Sequence, residues 1–391
     1  CRLLCKIEAM ARISCTRTIE KPKRILSMSG VWPTAKITKY TVLNLIFNLS
    51  FDIIVLTVII LNILNALKFK KINLLNKMIC IVISMVNYIA KSSTLTINKE
   101  CFMSIIQDLE STTFNGHAME LNYHIESIYN NCNLVFKYFA FMLVIYSLIG
   151  SILPMIVDIG ITIPAPFYTG RYEFLYKVLH FFATGLLSCN TIGLDILCLT
   201  LISLGIAQMK ILQESLENIV EDREETNGNK YFLNLKVDST LRECAILHQK
   251  IIVFVGKLNT LLSFPLFIQY TCGCFILCNT VVQLTLLREP GTSNTVSMIG
   301  YGAITFGQMA MYHWFGNEMI FTSEKIIESA YLSKWYEIDV SSQKTILLLM
   351  ERAKITQSIQ VYKYIFISLD SLGVIVRWAY SVFALVKARY G

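Results

Sequence analysis

Residues 41–66 read TVLNLIFNLSFDIIVLTVIILNILNA, a run whose only charge is Asp52. A helix crosses the hydrocarbon core of a bilayer with about 20 mostly apolar residues, so this one run is long enough. Comparable blocks lie at 72–95, 133–157, 174–206, 258–287, 296–317 and 361–388. They are too long and too continuous for membrane β-strands, which alternate over segments of about 10 residues. Composition agrees: 54% of the 391 residues are hydrophobic and 16% are charged, against about 25% charged in soluble domains. The expected fold is therefore an all-α polytopic membrane protein with seven transmembrane helices.

Charge orients it. Arg2, Lys6, Arg12, Arg17, Lys21, Lys23, Arg24, Lys36 and Lys39 precede the first block, against Glu8 and Glu20. Basic flanks stay cytoplasmic, which predicts a cytoplasmic N-terminus and, after seven crossings, an extracellular C-terminus. Lys68, Lys70 and Lys71 lie on the predicted outer side and argue the other way. No apolar h-region of a signal peptide appears in 1–39. The expected division is a cytoplasmic segment at 1–39, six membrane helices with cytoplasmic extensions at 40–317, a cytoplasmic anchor at 318–360 and a last helix with a short tail at 361–391.

The long connections, 96–132, 207–257 and 318–360, all fall on the cytoplasmic side. Ile211, Leu212, Leu216 and Ile219 recur at helical spacing and continue the fourth helix through 205–221. An acidic tip at 221–225 ends it. Residues 240–257 form an amphipathic approach to the fifth span. The stretch 342–357 carries Ile346, Leu347, Leu349, Met350 and Ala353 on a helix too short and too charged to cross. Such faces need partners.

Ionisable groups at membrane depth are costly and often functional. Asp52, Asp195, Asp370 and Arg377 qualify, the alternative for each being pairing or burial inside the bundle. Asp370 and Arg377 are two turns apart on one face. His117, His124, His180, His248 and His313 have no metal-ligand spacing. Neither a phosphate loop nor a nucleophile elbow is present. Cys272, Cys274 and Cys278 suggest a soft-metal site or small packing residues; the second is the simpler reading. No enzyme, cofactor, metal or nucleic-acid partner is expected; membrane lipid is. The sequon at Asn48 falls inside the first span and reads as chance.

From about residue 312 onward, short motifs follow one another: Phe315-Gly316-Asn317-Glu318, Ser323-Glu324, Ala330-Tyr331, Trp335, Leu347-Leu348-Leu349-Met350, Arg352-Ala353, Ser368-Leu369-Asp370, then Arg377, Ala379, Tyr380 and Ser381. Their order and spacing resemble the insect odorant receptor family. Gly30-Val31-Trp32-Pro33 and His248 are similar to further family features. Glu351, Leu372 and Lys354-Ile355-Thr356 depart from the pattern, where the family often has Gln, Phe and a Pro. The resemblance implies an odorant-gated, non-selective cation channel acting with the co-receptor Orco as a heterotetramer, in the dendritic plasma membrane of olfactory neurons. The chain is shorter than Orco and lacks its long loop after the fourth span, so it resembles a tuning subunit. Small volatile odorants are the implied ligands. The resemblance places Ser147, Gly150 and Pro154 of the third span in the odorant stripe, with Tyr88, Phe181 and Thr184 as candidates facing the same space. It places Leu385 and Ala388 at the gate; Ser381, Leu385 and Ala388 share one helical face.

A gustatory-type receptor channel and a seven-helix G-protein-coupled receptor are the alternatives. The ending Ala379-Tyr380-Ser381-Val382-Phe383 lacks the gustatory Thr-Tyr…Gln-Phe pattern. The G-protein-coupled fold needs the opposite N-terminal orientation, and neither Asp-Arg-Tyr after span three nor Asn-Pro-x-x-Tyr in span seven occurs.

Overall fold

The computed structural model describes residues 14–33, 39–68, 72–115, 121–147, 173–219, 230–286, 292–362 and 364–390. They form helices α1 (Cys15–Met28), α2 (Lys39–Lys68), α3 (Ile72–Ile97), α4 (Lys99–Glu110), α5 (Thr112–Asn115), α6 (Asn122–Ser147), α7 (Glu173–Glu217), α8 (Lys230–Leu286), α9 (Thr292–Leu332), α10 (Val340–Ala353) and α11 (Leu369–Tyr390), with a two-strand hairpin, β1 (Gln360–Val361) and β2 (Ile365–Phe366), before α11.

Among the described residues each apolar block of the sequence overlaps a long helix: α2, α3, α6, α7, α8, α9 and α11 in order. Among the described residues, five stretches are long and apolar enough to cross a membrane: Val42–Lys68, Met78–Ile97, Gly185–Glu217, Lys236–Gln283 and Leu369–Ala388. The block at 133–157 is described only as far as Ser147.

Helix α7 is the hub. Its most apolar 18 residues within Gly185–Glu217 are 94% buried, and it packs against α1, α2, α6, α8 and α9. Its periodic residues Ile211, Leu212, Leu216 and Ile219 are all buried, as the helical spacing predicts. They join Phe254, Leu258 and Leu261 of α8, and Met319 and Ile326 of α9, in one core. Burying such a side chain from water contributes about 1.5–3 kcal/mol, which holds the helices together beyond the apolar spans.

Three local features depart from the expectation. First, the basic N-terminal segment contains a helix. Cys15, Ile19 and Leu26 of α1 are buried against α7, while Arg17, Glu20, Lys23 and Arg24 face outward. Helix α1 closes at Gly30, whose φ of +75° suits glycine, and the amides of Val31 and Trp32 return to the Leu26 carbonyl at 2.9 and 3.0 Å. Second, α9 runs through 317–318 unbroken to Leu332. Third, the last helix begins at Leu369 and not 361. Tyr362, with φ of +49°, turns the chain into the β1–β2 hairpin. Ser368 then starts α11, its Oγ 3.4 Å from the Ser371 amide.

In the anchor, Asp339 caps α10 by accepting from the Ser341 amide at 3.1 Å. Ile346, Leu349 and Ala353 point inward, while Leu347 and Leu348 are exposed.

Candidate functional site

Two features stand out among the described residues: a buried polar cluster and a bare last helix.

The cluster centres on Asp195 of α7 and Lys91 of α3, which form an ion pair with side chains 1% and 2% exposed. Removing either charge from water costs several kcal/mol, offset only where every hydrogen-bonding position is filled. Here α9 completes the set. Gln308 Nε2 donates to Asp195 Oδ2, and the Tyr312 hydroxyl donates to Asp195 Oδ1 at 2.8 Å. Lys91 also donates to Gln269 Oε1 of α8 at 2.7 Å and lies over the Tyr312 ring, 5.4 Å from its centre. Asn87 donates to the same Gln269 oxygen. Four helices thus meet at one charge pair. Two buried acceptors nearby, Asn87 Oδ1 and His313 Nε2, have no partner among the described residues. His313 Nδ1 is 2.7 Å from the Met309 carbonyl, a contact that makes Nδ1 the donor.

One turn along α3, the Tyr88 hydroxyl accepts from Asn48 Nδ2 at 3.0 Å, and Asn190 donates to Asn48 Oδ1 at 2.7 Å. Asn48 is buried by these bonds, so its sequon is inaccessible in the fold. Asp52, half-buried on α2, lies 3.4 Å from Asn48 Nδ2. Further along α3, Ser84 bonds the Tyr301 hydroxyl of α9.

The last helix is held along one face only. Leu372, Ile375, Ala379, Val382, Phe383 and Val386 are at least partly covered, whereas Arg377, Trp378, Ser381, Leu385 and Ala388 are exposed. Within Leu369–Ala388 only Ile375 is buried, and Leu385 is 71% exposed. Asp370 and Arg377 are both exposed.

The motif Phe315-Gly316-Asn317-Glu318 docks this helix. Gly316 packs under the Ile367 carbonyl, Asn317 Oδ1 lies 3.5 Å from the Leu369 amide, and Glu318 pairs with Lys210 of α7 at 2.8 Å. Ser323 Oγ accepts from the Gln357 amide at 2.8 Å.

The structure brings Ser381, Leu385 and Ala388 onto one exposed face, as their spacing requires. It places Tyr88 in the bundle, 3% exposed. Ser147 ends α6, and Phe181 and Thr184 lie in α7, but their side chains are outside the described residues, as are Gly150 and Pro154 altogether. Asp195 is paired. Its partner Lys91 was missed in the sequence, although a lysine inside the second apolar block was the available signal; nothing in the pattern singled out Gln269 or Gln308. Cys272, Cys274 and Cys278 are half-buried along α8, and no group of three metal-binding side chains occurs among the described residues.

A family model described as 7tm Odorant receptor matches residues 71–380. Odorant receptor 10 of Aedes albopictus is 25% identical over 189 residues, 48% of each chain. Odorant receptor 30a of Drosophila melanogaster is 24% identical over 224 residues, 57% of this chain and 56% of that one. The chain thus spans about half the length of the curated relatives it matches. The insect olfactory receptor OR5 from Machilis hrabei, solved in complex with eugenol, shares the fold, with a TM-score of 0.80 at 15% identity over 96% of this chain and 98% of that one.

Proposed function

We propose that this chain, which belongs to the 7tm odorant receptor family, is an odorant-gated cation-channel subunit. The family is one of helical, multi-pass membrane receptors. In this reading the chain is a tuning subunit that assembles with the co-receptor Orco in the plasma membrane of olfactory neuron dendrites. The N-terminus is cytoplasmic, seven helices cross, and α11 walls a pore shared by four subunits.

The observation that carries the reading is the contrast between α7 and α11, whose most apolar 18-residue stretches are 94% and 6% buried. An apolar helix that also carries Arg377 and Ser381 on its bare face suits a boundary between protein and water-filled path better than lipid alone, since charges at membrane depth favour an aqueous cavity. A ring of Leu385 side chains closes such a path by dewetting. The odorant site is the space among α3, α6 and α7, with Tyr88, Ser147, Gly150, Pro154, Phe181 and Thr184 as its candidate lining. Apolar burial at about 25 cal/mol per Å2 dominates affinity for volatile ligands with few polar groups.

The test is co-expression with Orco in a cell lacking both, followed by a panel of odorants. Cation currents that need both subunits and an odorant are the expected result. Silence across a broad panel, at verified surface expression, overturns the reading.

A further inference from the structure

We infer that the Lys91–Asp195 cluster couples odorant occupancy to the last helix, with Gln308 and Tyr312 as its positioning residues. The inference rests on the channel reading above and goes beyond it by naming the transmission element.

The case begins on α9. Tyr301, Gln308, Tyr312 and Gly316 recur at spacings of seven, four and four residues, so they form one stripe. Each touches a different part of the machine. Tyr301 reaches Ser84 of α3, Gln308 and Tyr312 hold Asp195 of α7, and Gly316 meets the Ile367 carbonyl just before α11. From Gln308 to Gly316 is about 12 Å along the axis. On α3, Tyr88 of the candidate odorant space stands three residues from Lys91, on the same side of the helix. The Lys91–Asp195 cluster therefore lies between that space, one turn along α3, and the stripe of α9 whose Gly316 packs under the entry to α11.

Packing alone allows helices to slide by small steps. A buried ion pair does not, because exposing or orphaning one charge is strongly destabilising. The pair ties α3 to α7, and α9, which donates to the same carboxylate through Gln308 and Tyr312, must follow α7 or exchange partners. A spare acceptor exists: Asn87 Oδ1, one turn from Lys91 on the same face and without a partner among the described residues. An ammonium with two sets of acceptors gives the discrete alternatives that coupling between distant sites needs.

The Lys91–Asp195 pair bonds Gln269, Gln308 and Tyr312, none of them a candidate odorant-lining residue, so its loss should scale the response without changing which odorants act. The experiment compares Gln308→Met, Tyr312→Phe, Asp195→Asn and the Asp195→Asn/Gln308→Met pair with wild type, each co-expressed with Orco. Half-maximal odorant concentrations are read on the whole panel, with surface labelling of each variant. The expected result is a shift of about tenfold, equal for every odorant, with rank order kept and the double variant no worse than Asp195→Asn alone. Gln308→Met removes no charge, so it carries the test if Asp195→Asn fails to reach the surface. Unchanged sensitivities at normal surface level, or a reordered panel, overturn the coupling role while leaving the channel reading intact. A silent wild type overturns the channel reading and this inference with it.

Discussion

The Ile367 carbonyl lies directly over Gly316, so that a β-carbon at 316 would collide with its oxygen. The middle of the sixth long helix and the chain just before the last are therefore in close contact, and only glycine fits there. The Gly316→Ala variant is expected to push the β1–β2 hairpin and α11 away from α9, at a cost of about 1–3 kcal/mol. A lowered melting temperature in detergent together with a weakened odorant current would bear this out. A variant with wild-type melting and currents would show the contact to be dispensable.

Leu385 projects from the bare face of α11. In the proposed fourfold pore a ring of these side chains would keep the path dry. Leu385→Ser is expected to raise ligand-free current roughly several-fold, and enlarging Ala388 to alter permeation. Recordings with unchanged gating and permeation in both would remove these residues from the gate.

Gly150 occupies the stripe that the family resemblance assigns to odorant contact. Gly150→Leu adds about the volume of a small ligand fragment to that space. The expected outcome is a narrower odorant panel, bulky ligands being lost first. An unaltered panel at normal surface expression would place Gly150 elsewhere.

Tyr88 offers a sharper choice, because its hydroxyl already accepts from Asn48. Tyr88→Phe is expected to cost about 1 kcal/mol of stability, seen as a lowered melting temperature. A change in odorant ranking in the same variant would assign the ring to the ligand space as well.

Cys15 tests the seating of α1. Burial, opposed only weakly by the hydrogen bond from Gln208, pushes its thiol from 9.0 to about 12. The thiolate is the reactive form, so at pH 8 alkylation is expected to be about a thousandfold slower than at an ordinary thiol. The signal should stay low until the pH nears the raised value or the protein is denatured. Peptide mapping after maleimide treatment reads this directly. Rapid labelling in native micelles would mean that α1 does not pack on α7.

Much of this architecture was legible beforehand. Among the described residues, the run at 41–66 and its six counterparts each contribute a long helix because lipid leaves a long apolar segment few other forms. Ile211, Leu212, Leu216 and Ile219 foretold the extension of α7, since a periodic apolar face in water must be covered. Helix α1 escaped notice because nine cations between Arg2 and Lys39 dominate that segment, while its buried face rests on just a few residues, among them Cys15, Ile19 and Leu26. The start of α11 was misplaced by eight residues because 361–366 is as apolar as the helix after it. The left-handed turn at Tyr362 folds that segment into the β1–β2 hairpin instead.

The candidate site divides the same way. Ser381, Leu385 and Ala388 share a face by spacing alone, a local property of one helix. Asp195 announced itself as a charge in an apolar block. Its partners are Lys91, 104 residues away, and Gln308, 113 residues away.

Amino-acid order by itself thus determined the solvent, the helices and the faces within each helix, because those depend on neighbours three and four positions apart. Which face meets which, and hence the charge pair at Asp195 and the docking of α11 on Gly316, was decided by the crossing of helices distant in the chain. No local periodicity encodes that crossing. It follows from simultaneous burial of apolar surface and satisfaction of every buried charge across the bundle.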